Sequence, residues 1–138
     1  MEKHMNNLKI AAQFYDFVRA GDIASATACF AEDITWIESP FPGNHGGTFI
    51  GRKTVVDQVL AKFVGTWVDL TVTPERFIDG GPDVVVLGTY RGKHRETTRP
   101  FEARFAHTWT FVDGRVVRVE QLADTVKFFE TVSPGISG

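Results

Sequence analysis

One cysteine, Cys29, is all the thiol chemistry this chain of 138 residues contains. No intramolecular disulfide can form, so the fold must rest on its core, and a reducing compartment is the natural expectation. Cys29 falls in an apolar helical run and reads as a small buried residue. No stretch approaches the roughly 20 apolar residues of a membrane span. Residues 1–5 lack the apolar stretch of a signal peptide, so a cytoplasmic setting is expected. A net charge of −2 leaves no electrostatic footprint for nucleic acid or an anionic membrane surface. Repeats, low-complexity tracts and linkers are all missing, which points to one domain over 1–138 with its core at about 6–132. The loop Pro42-Gly43-Asn44-His45-Gly46-Gly47 is rich in glycine but lacks the Lys-Ser/Thr pair of a phosphate-binding loop. No two of the four histidines stand at metal-ligand spacing on one helix.

What the chain has in quantity is aromatic rings. Twelve Phe and three Trp suffice to build a core or to line an apolar pocket. Helical spacing runs from a cap at Asn6 or Asn7 to about Ala20, with Leu8, Ile10, Ala11, Phe14, Tyr15, Phe17 and Val18 apolar. That stripe is wide, as for a helix buried on more than one side. Gly21 suits a C-terminal cap and Asp22 the N-cap of a second helix running to about Phe30. Ile34–Glu38 reads as a short strand closed by Ser39-Pro40. A third helix is expected from about Lys53. Strands over Trp67–Ile78 and Asp83–Lys93 flank the turn signal Asp79-Gly80-Gly81-Pro82. His94–Arg99 reads as a polar loop, Val126–Thr131 as a final short helix and 133–138 as a tail. Helices followed by a run of antiparallel strands indicate α+β.

The most informative segment is a hairpin over Phe101–Thr125 folded about Asp113-Gly114, a dipeptide that favours two-residue turns. An uninterrupted ladder from such a turn pairs His107 with Glu120 and Ala103 with Asp124. Alternation then gathers Phe101, Ala103, Phe105, His107, Trp109 and Phe111 on one face, with Val116, Arg118, Glu120, Leu122 and Asp124. Ionisable groups on an aromatic face are costly in a plain core and make better sense around a cavity. Arg104 falls on the opposite face, where a salt bridge or dimer contact is expected.

Several motifs, taken in order, resemble the nuclear transport factor 2-like superfamily. These are Phe14-Tyr15 through Gly21-Asp22, Phe30-Ala31-Glu32-Asp33 with Trp36, the Pro42–Gly51 loop with Gly46-Gly47-Thr48, and Phe101–Trp109 leading through Asp113-Gly114 to Asp124-Thr125. The nearest branch is the ketosteroid isomerase-related, polyketide cyclase-like (SnoaL-like) proteins, over roughly Leu8–Thr131. The resemblance implies a cystatin-like α+β cone, a curved antiparallel sheet wrapped around N-terminal helices, usually homodimeric. Fold alone does not fix function in that superfamily. By the same resemblance, Glu38 stands where ketosteroid isomerases carry their base, and His107 where they carry a protonated oxyanion-hole acid. Asp124 matches an acid/base residue of the cyclases. Phe14 stands where the isomerases have a hydrogen-bonding tyrosine; a phenyl ring cannot donate, which argues against steroid isomerisation itself.

The expected catalytic set is therefore Glu38, His107 and Asp124, with Glu120 orienting His107. Each has a structural alternative: a solvated strand end for Glu38, a satisfied core histidine for His107, and a helix cap for Asp124. Phe14, Trp36, Phe41, Phe63, Tyr90 and Trp109 are the expected pocket walls. His4 and His94 read as terminal and loop residues. Arg91, Lys93, Arg95 and Arg99 read as a solvated patch. The chemistry expected is cofactor-free and metal-free acid/base catalysis on a small hydrophobic carbonyl compound. The alternatives are a non-catalytic binding protein and a dimerisation domain whose cone is plugged by Phe side chains.

Overall fold

The computed structural model describes the backbone of residues 2–133 and the side chains of 7–133. The proposed tail beyond Ser133 and the side chains of His4 and Asn6 lie outside the described residues. Helix α1 (Glu2–Arg19) is followed by α2 (Ile23–Thr27), β1 (Phe30–Glu38) and β2 (Gly47–Ile50). A single helical segment then runs through α3 (Arg52–Val55), a π turn (Val56–Leu60) and α4 (Ala61–Thr66). The chain finishes with β3 (Trp67–Gly80), β4 (Asp83–His94), β5 (Pro100–Val112), β6 (Arg115–Ala123) and α5 (Thr125–Glu130). The strands form one six-stranded sheet in the order β2-β1-β6-β5-β4-β3. Neighbours are antiparallel except β1 and β6, which run parallel, a departure from the all-antiparallel sheet expected.

Local chemistry explains most boundaries. The Asp22 carboxylate accepts from the Ser25 N–H at 3.0 Å, capping α2 as the residue type predicts. Asn7 does not open α1, which begins five residues earlier. Instead Asn7 is buried and its amide donates to the Gly81 carbonyl at 3.0 Å, fastening α1 to the β3–β4 turn. The second helix stops at Thr27, and Phe30 is already in a strand, with Cys29 half-buried in the turn between them. Strand register irregularities at Val68/Thr71 and Pro74/Arg76 bend the long edge strand β3. The concave face of the sheet receives α1 and the α3–α4 segment, and the aromatic core lies between them. Phe128 of α5 packs on Phe101 and Trp67 at ring distances of 5.3 and 5.6 Å.

His94 is buried rather than a solvated loop residue; its Nδ1 accepts from the backbone N–H groups of Glu96 and Thr97. The neighbouring basic residues are tied locally. Arg91 pairs with Glu102, Lys93 with Asp69, and Arg95 and Arg99 donate to backbone carbonyls. No described helix is long and apolar enough to cross a membrane.

Gly88 in β4 sits where any side chain would collide. A β-carbon there would overlap the Thr73 carbonyl oxygen and the Phe105 ring. Phe105 in turn stacks on His107 at 4.1 Å. Gly88→Ala is expected to cost about 1–3 kcal/mol by overpacking, read as a lowered urea midpoint. A midpoint equal to that of the parent protein would refute the close packing at this strand.

Candidate active site

Strand alternation buries Phe101, Ala103, Phe105, His107, Trp109 and Phe111 together on the concave side of β5, as expected. The turn is also the expected one. Asp113 and Gly114 both have positive φ, 50° and 77°, and Val112 pairs with Arg115. The ladder then shifts by one residue between Thr110 and Phe111. A one-residue slip exchanges the two faces of a strand. His107 therefore pairs with Gln121, and Glu120 pairs with Thr108. Val119 and Gln121 are buried, while Glu120 points away from His107 and meets Arg118 at 3.6 Å. The expected His107–Glu120 pair does not form. Asp124 is exposed at the N-cap position of α5 and makes no side-chain capping bond. It does not line the cavity that holds Glu38 and His107. Arg104 lies on the outer face, as expected, and meets Glu75 at 3.4 Å.

The concave side encloses a narrow cavity of about 50 Å³. Glu38, Tyr90 and His107 are its ionisable lining residues, among walls that include Phe14, Trp36 and Phe63. Four of the six expected wall residues are thus in place. Phe41 is buried against Phe63 outside the lining, and Trp109 lies behind it. The cavity shares Val18, Ile23, Val64, Leu70 and Val72 with an outer groove of about 680 Å³. Those five residues form an apolar collar between a polar inner end and the surface. Leu60, at the end of the π turn, adds a further wall.

Glu38 ends β1, 6 % exposed, and its Oε1 accepts from the Trp36 indole N–H at 2.9 Å. Burial pushes its carboxyl up to about 7, only partly offset by that bond. It is thus balanced between acid and base at neutral pH. His107, 3 % exposed, has both ring nitrogens occupied. Nδ1 lies 2.7 Å from the Tyr15 hydroxyl and Nε2 lies 2.6 Å from the Tyr90 hydroxyl. Burial drives its pKa down to about 3, so the ring is neutral and does not serve as a proton-donating imidazolium. Burial also raises the Tyr90 phenol well above its ordinary value, with the nearby Glu38 charge adding to the effect. Trp109 donates to the Tyr15 oxygen at 3.1 Å and Gln121 to the Tyr90 oxygen at 3.1 Å.

Tyr15 and Gln121 are the site residues that sequence reasoning missed. The wide apolar stripe of α1 was a signal for Tyr15, because it requires burial on the face next to Phe14. No group of three or more His, Cys, Asp or Glu side chains able to hold a metal occurs among the described residues.

The model of the SnoaL-like domain family matches residues 11–119. No curated protein matches the chain. Among solved structures, the chain is similar to a nuclear transport factor 2-like protein from Burkholderia thailandensis. The two share 30 % identity over 93 % of this chain and 98 % of the other, with a TM-score of 0.85. It is also similar to TerC, co-crystallised with polyporic acid, at 28 % identity over 92 % and 98 % of the two chains and a TM-score of 0.79. A putative SnoaL-like polyketide cyclase from Jannaschia sp. CCS1 shares the fold, with a TM-score of 0.81 over 95 % of this chain and 94 % of that one, at 14 % identity.

Proposed function

For a chain that belongs to the SnoaL-like domain family, we propose acid/base catalysis on a small apolar carbonyl compound, without a cofactor. The observation that carries this reading is the meeting of Glu38, Tyr90 and His107 at the inner end of one apolar cavity, with the Glu38 carboxyl held near 7. A carboxylate in that range is a competent general base at neutral pH. Glu38 takes a proton from the carbon next to the carbonyl, and the C–H electron pair moves toward the carbonyl oxygen to give an enolate. The Tyr90 hydroxyl, held by His107, is the donor placed to stabilise that oxygen. Returning the proton to a second carbon gives isomerisation; ring closure or loss of a leaving group are the cyclase and dehydratase outcomes.

The polar groups lie beyond the apolar collar, so the carbonyl end enters first and the body of the compound fills the collar and groove. The ligand co-crystallised with TerC supports a ligand-holding role for this type of cone. A homodimer, implied by the superfamily, is a separate proposal that sedimentation equilibrium reads directly.

The test is carbon–deuterium exchange in D₂O, followed by NMR, over a panel of apolar carbonyl compounds that includes polyporic acid. Exchange that disappears in Glu38→Gln and persists in Asp124→Asn supports the reading. Binding of panel members without exchange identifies a binding protein instead. Equal exchange in the parent, Glu38→Gln and His107→Ala proteins refutes the assignment.

A further inference from the structure

Counting the protons around His107 gives more than the distances alone. The Trp109 indole nitrogen can only donate, so the Tyr15 oxygen accepts that bond. The backbone N–H of Ser39 can also only donate, and it does so to the Gln121 side-chain oxygen at 2.9 Å. This settles the orientation of the Gln121 amide, whose NH₂ must then donate to the Tyr90 oxygen. Each tyrosine oxygen therefore accepts one bond from outside the triad. Neutral imidazole has one N–H and one bare nitrogen, which leaves two arrangements.

In the first, Nδ1–H donates to Tyr15 and the Tyr90 hydroxyl donates to Nε2. The Tyr15 oxygen then accepts twice, and its own proton needs a third partner. Tyr15 is fully buried, its ring neighbours besides His107 and Trp109 are Phe14, Phe77 and Phe105, and its hydroxyl has no other described partner within hydrogen-bond distance. An unpaired O–H in such surroundings is costly. In the second arrangement the Tyr15 hydroxyl donates to Nδ1 and Nε2–H donates to Tyr90. The unclaimed proton is now that of Tyr90, which lines the cavity together with Glu38. Only this arrangement gives every proton a partner or a route to one.

We infer that Trp109 and Tyr15 lock His107 as its Nε2–H tautomer, so that the Tyr90 hydroxyl proton is aimed into the cavity beside Glu38. This rests on reading the cavity as the reaction site, and it assigns parts within it. Tyr90 touches the substrate oxygen; Tyr15, Trp109 and Gln121 are positioning residues, as is His107, whose ring nitrogens are both engaged by the two tyrosines. Two bonds accepted by one phenol oxygen also polarise its O–H, making it a stronger donor.

The tautomer is read without any substrate, by long-range ¹H–¹⁵N NMR on protein labelled at histidine. His107 is expected to show a protonated Nε2 and a bare Nδ1 near neutral pH. A protonated Nδ1 in the parent protein overturns the inference even if the cavity is an active site. Tyr15→Phe removes the hydroxyl that disfavours a protonated Nδ1, and the His107 signals are expected to move toward a mixture of the two tautomers. With an active panel compound, Tyr90→Phe is expected to lower kcat about 10²–10³-fold, as loss of an oxyanion donor does. Tyr15→Phe is expected to lower kcat less, with KM unchanged. Absence of turnover on every compound would count against the active-site reading alone, since the tautomer is measured separately.

Discussion

Glu38→Gln is expected to stabilise the folded protein at pH 8 by about 3 kcal/mol while lowering proton-transfer activity about 10²–10⁴-fold. Both effects come from one cause. Burial raises the Glu38 carboxyl from 4.5 to about 7, so above neutrality the folded protein holds a charge that water would solvate better. The folded pKa lies above the unfolded one, so stability is greatest below 4.5 and is lost as pH rises through 7. A glutamine oxygen keeps the bond from Trp36, although its NH₂ needs an acceptor in the cavity and reduces the gain. The groups facing Glu38 are Trp36 on its own strand, Tyr90 on β4 and His107 on β5, and none is charged at pH 8.

His107 has the opposite sign. Its pKa falls from 6.5 to about 3 on folding, so the stability it contributes is complete above 6.5 and lost as pH falls toward 3. Between pH 4.5 and 6.5 the unfolded chain holds the His107 proton and the folded one holds the Glu38 proton, and their effects cancel. In this window these two groups leave the parent protein nearly flat, whereas Glu38→Gln climbs steadily to pH 6.5. Urea unfolding from pH 4 to 8 checks this. Parallel stability curves for the two proteins would show that Glu38 ionises normally in the folded state and is no candidate base.

The limits of the sequence are clearest on the hairpin. Alternation on β5 was legible because every inward residue from Phe101 to Phe111 is aromatic, alanine or histidine. The turn was legible because Asp-Gly accepts positive φ at both positions. The bulge beside Thr110 was not, because Val116 and Val117 look alike and either could face inward. That single extra residue exchanged Glu120 for Gln121 as the partner of His107, and with it a charged orienting group for a neutral one. The error was consistent with the pattern: Val119 and Gln121 form an equally regular face. The inward placement of Glu38 was legible because strand parity and the family resemblance agreed on it. Asp124 was overread, since position at a strand end does not fix the direction of a side chain. Tyr15 stands about 100° around the helix from Phe14, so the resemblance at Phe14 does not extend to it. A helix buried on both faces accommodates both rings, and it is the second that reaches His107.

The Tyr15–His107 pair is expected to couple strongly in stability. His107→Leu leaves the Tyr15 hydroxyl proton in dry aromatic surroundings and removes a partner of Tyr90, a cost of about 2–5 kcal/mol. Tyr15→Phe alone leaves His107 Nδ1 and the Trp109 N–H unpaired at fully or almost fully buried positions. The double variant keeps only the Trp109 N–H as an orphan, since Gln121 still donates to Tyr90. Its loss should therefore fall short of the sum of the single losses by about 1–2 kcal/mol. Urea unfolding of the four proteins at pH 7 measures the cycle. Additive losses would mean that the two side chains do not share a hydrogen bond in solution. Adding Trp109→Phe to the double variant removes the last orphan donor and leaves the paired Gln121 and Tyr90 as the remaining polar members of the network. Part of the lost stability should then return, because no donor of the network is left buried and unpaired. The polar network would then be a functional feature of the fold rather than a source of its stability, held in place because Tyr90 must present its proton to a substrate oxygen beside Glu38.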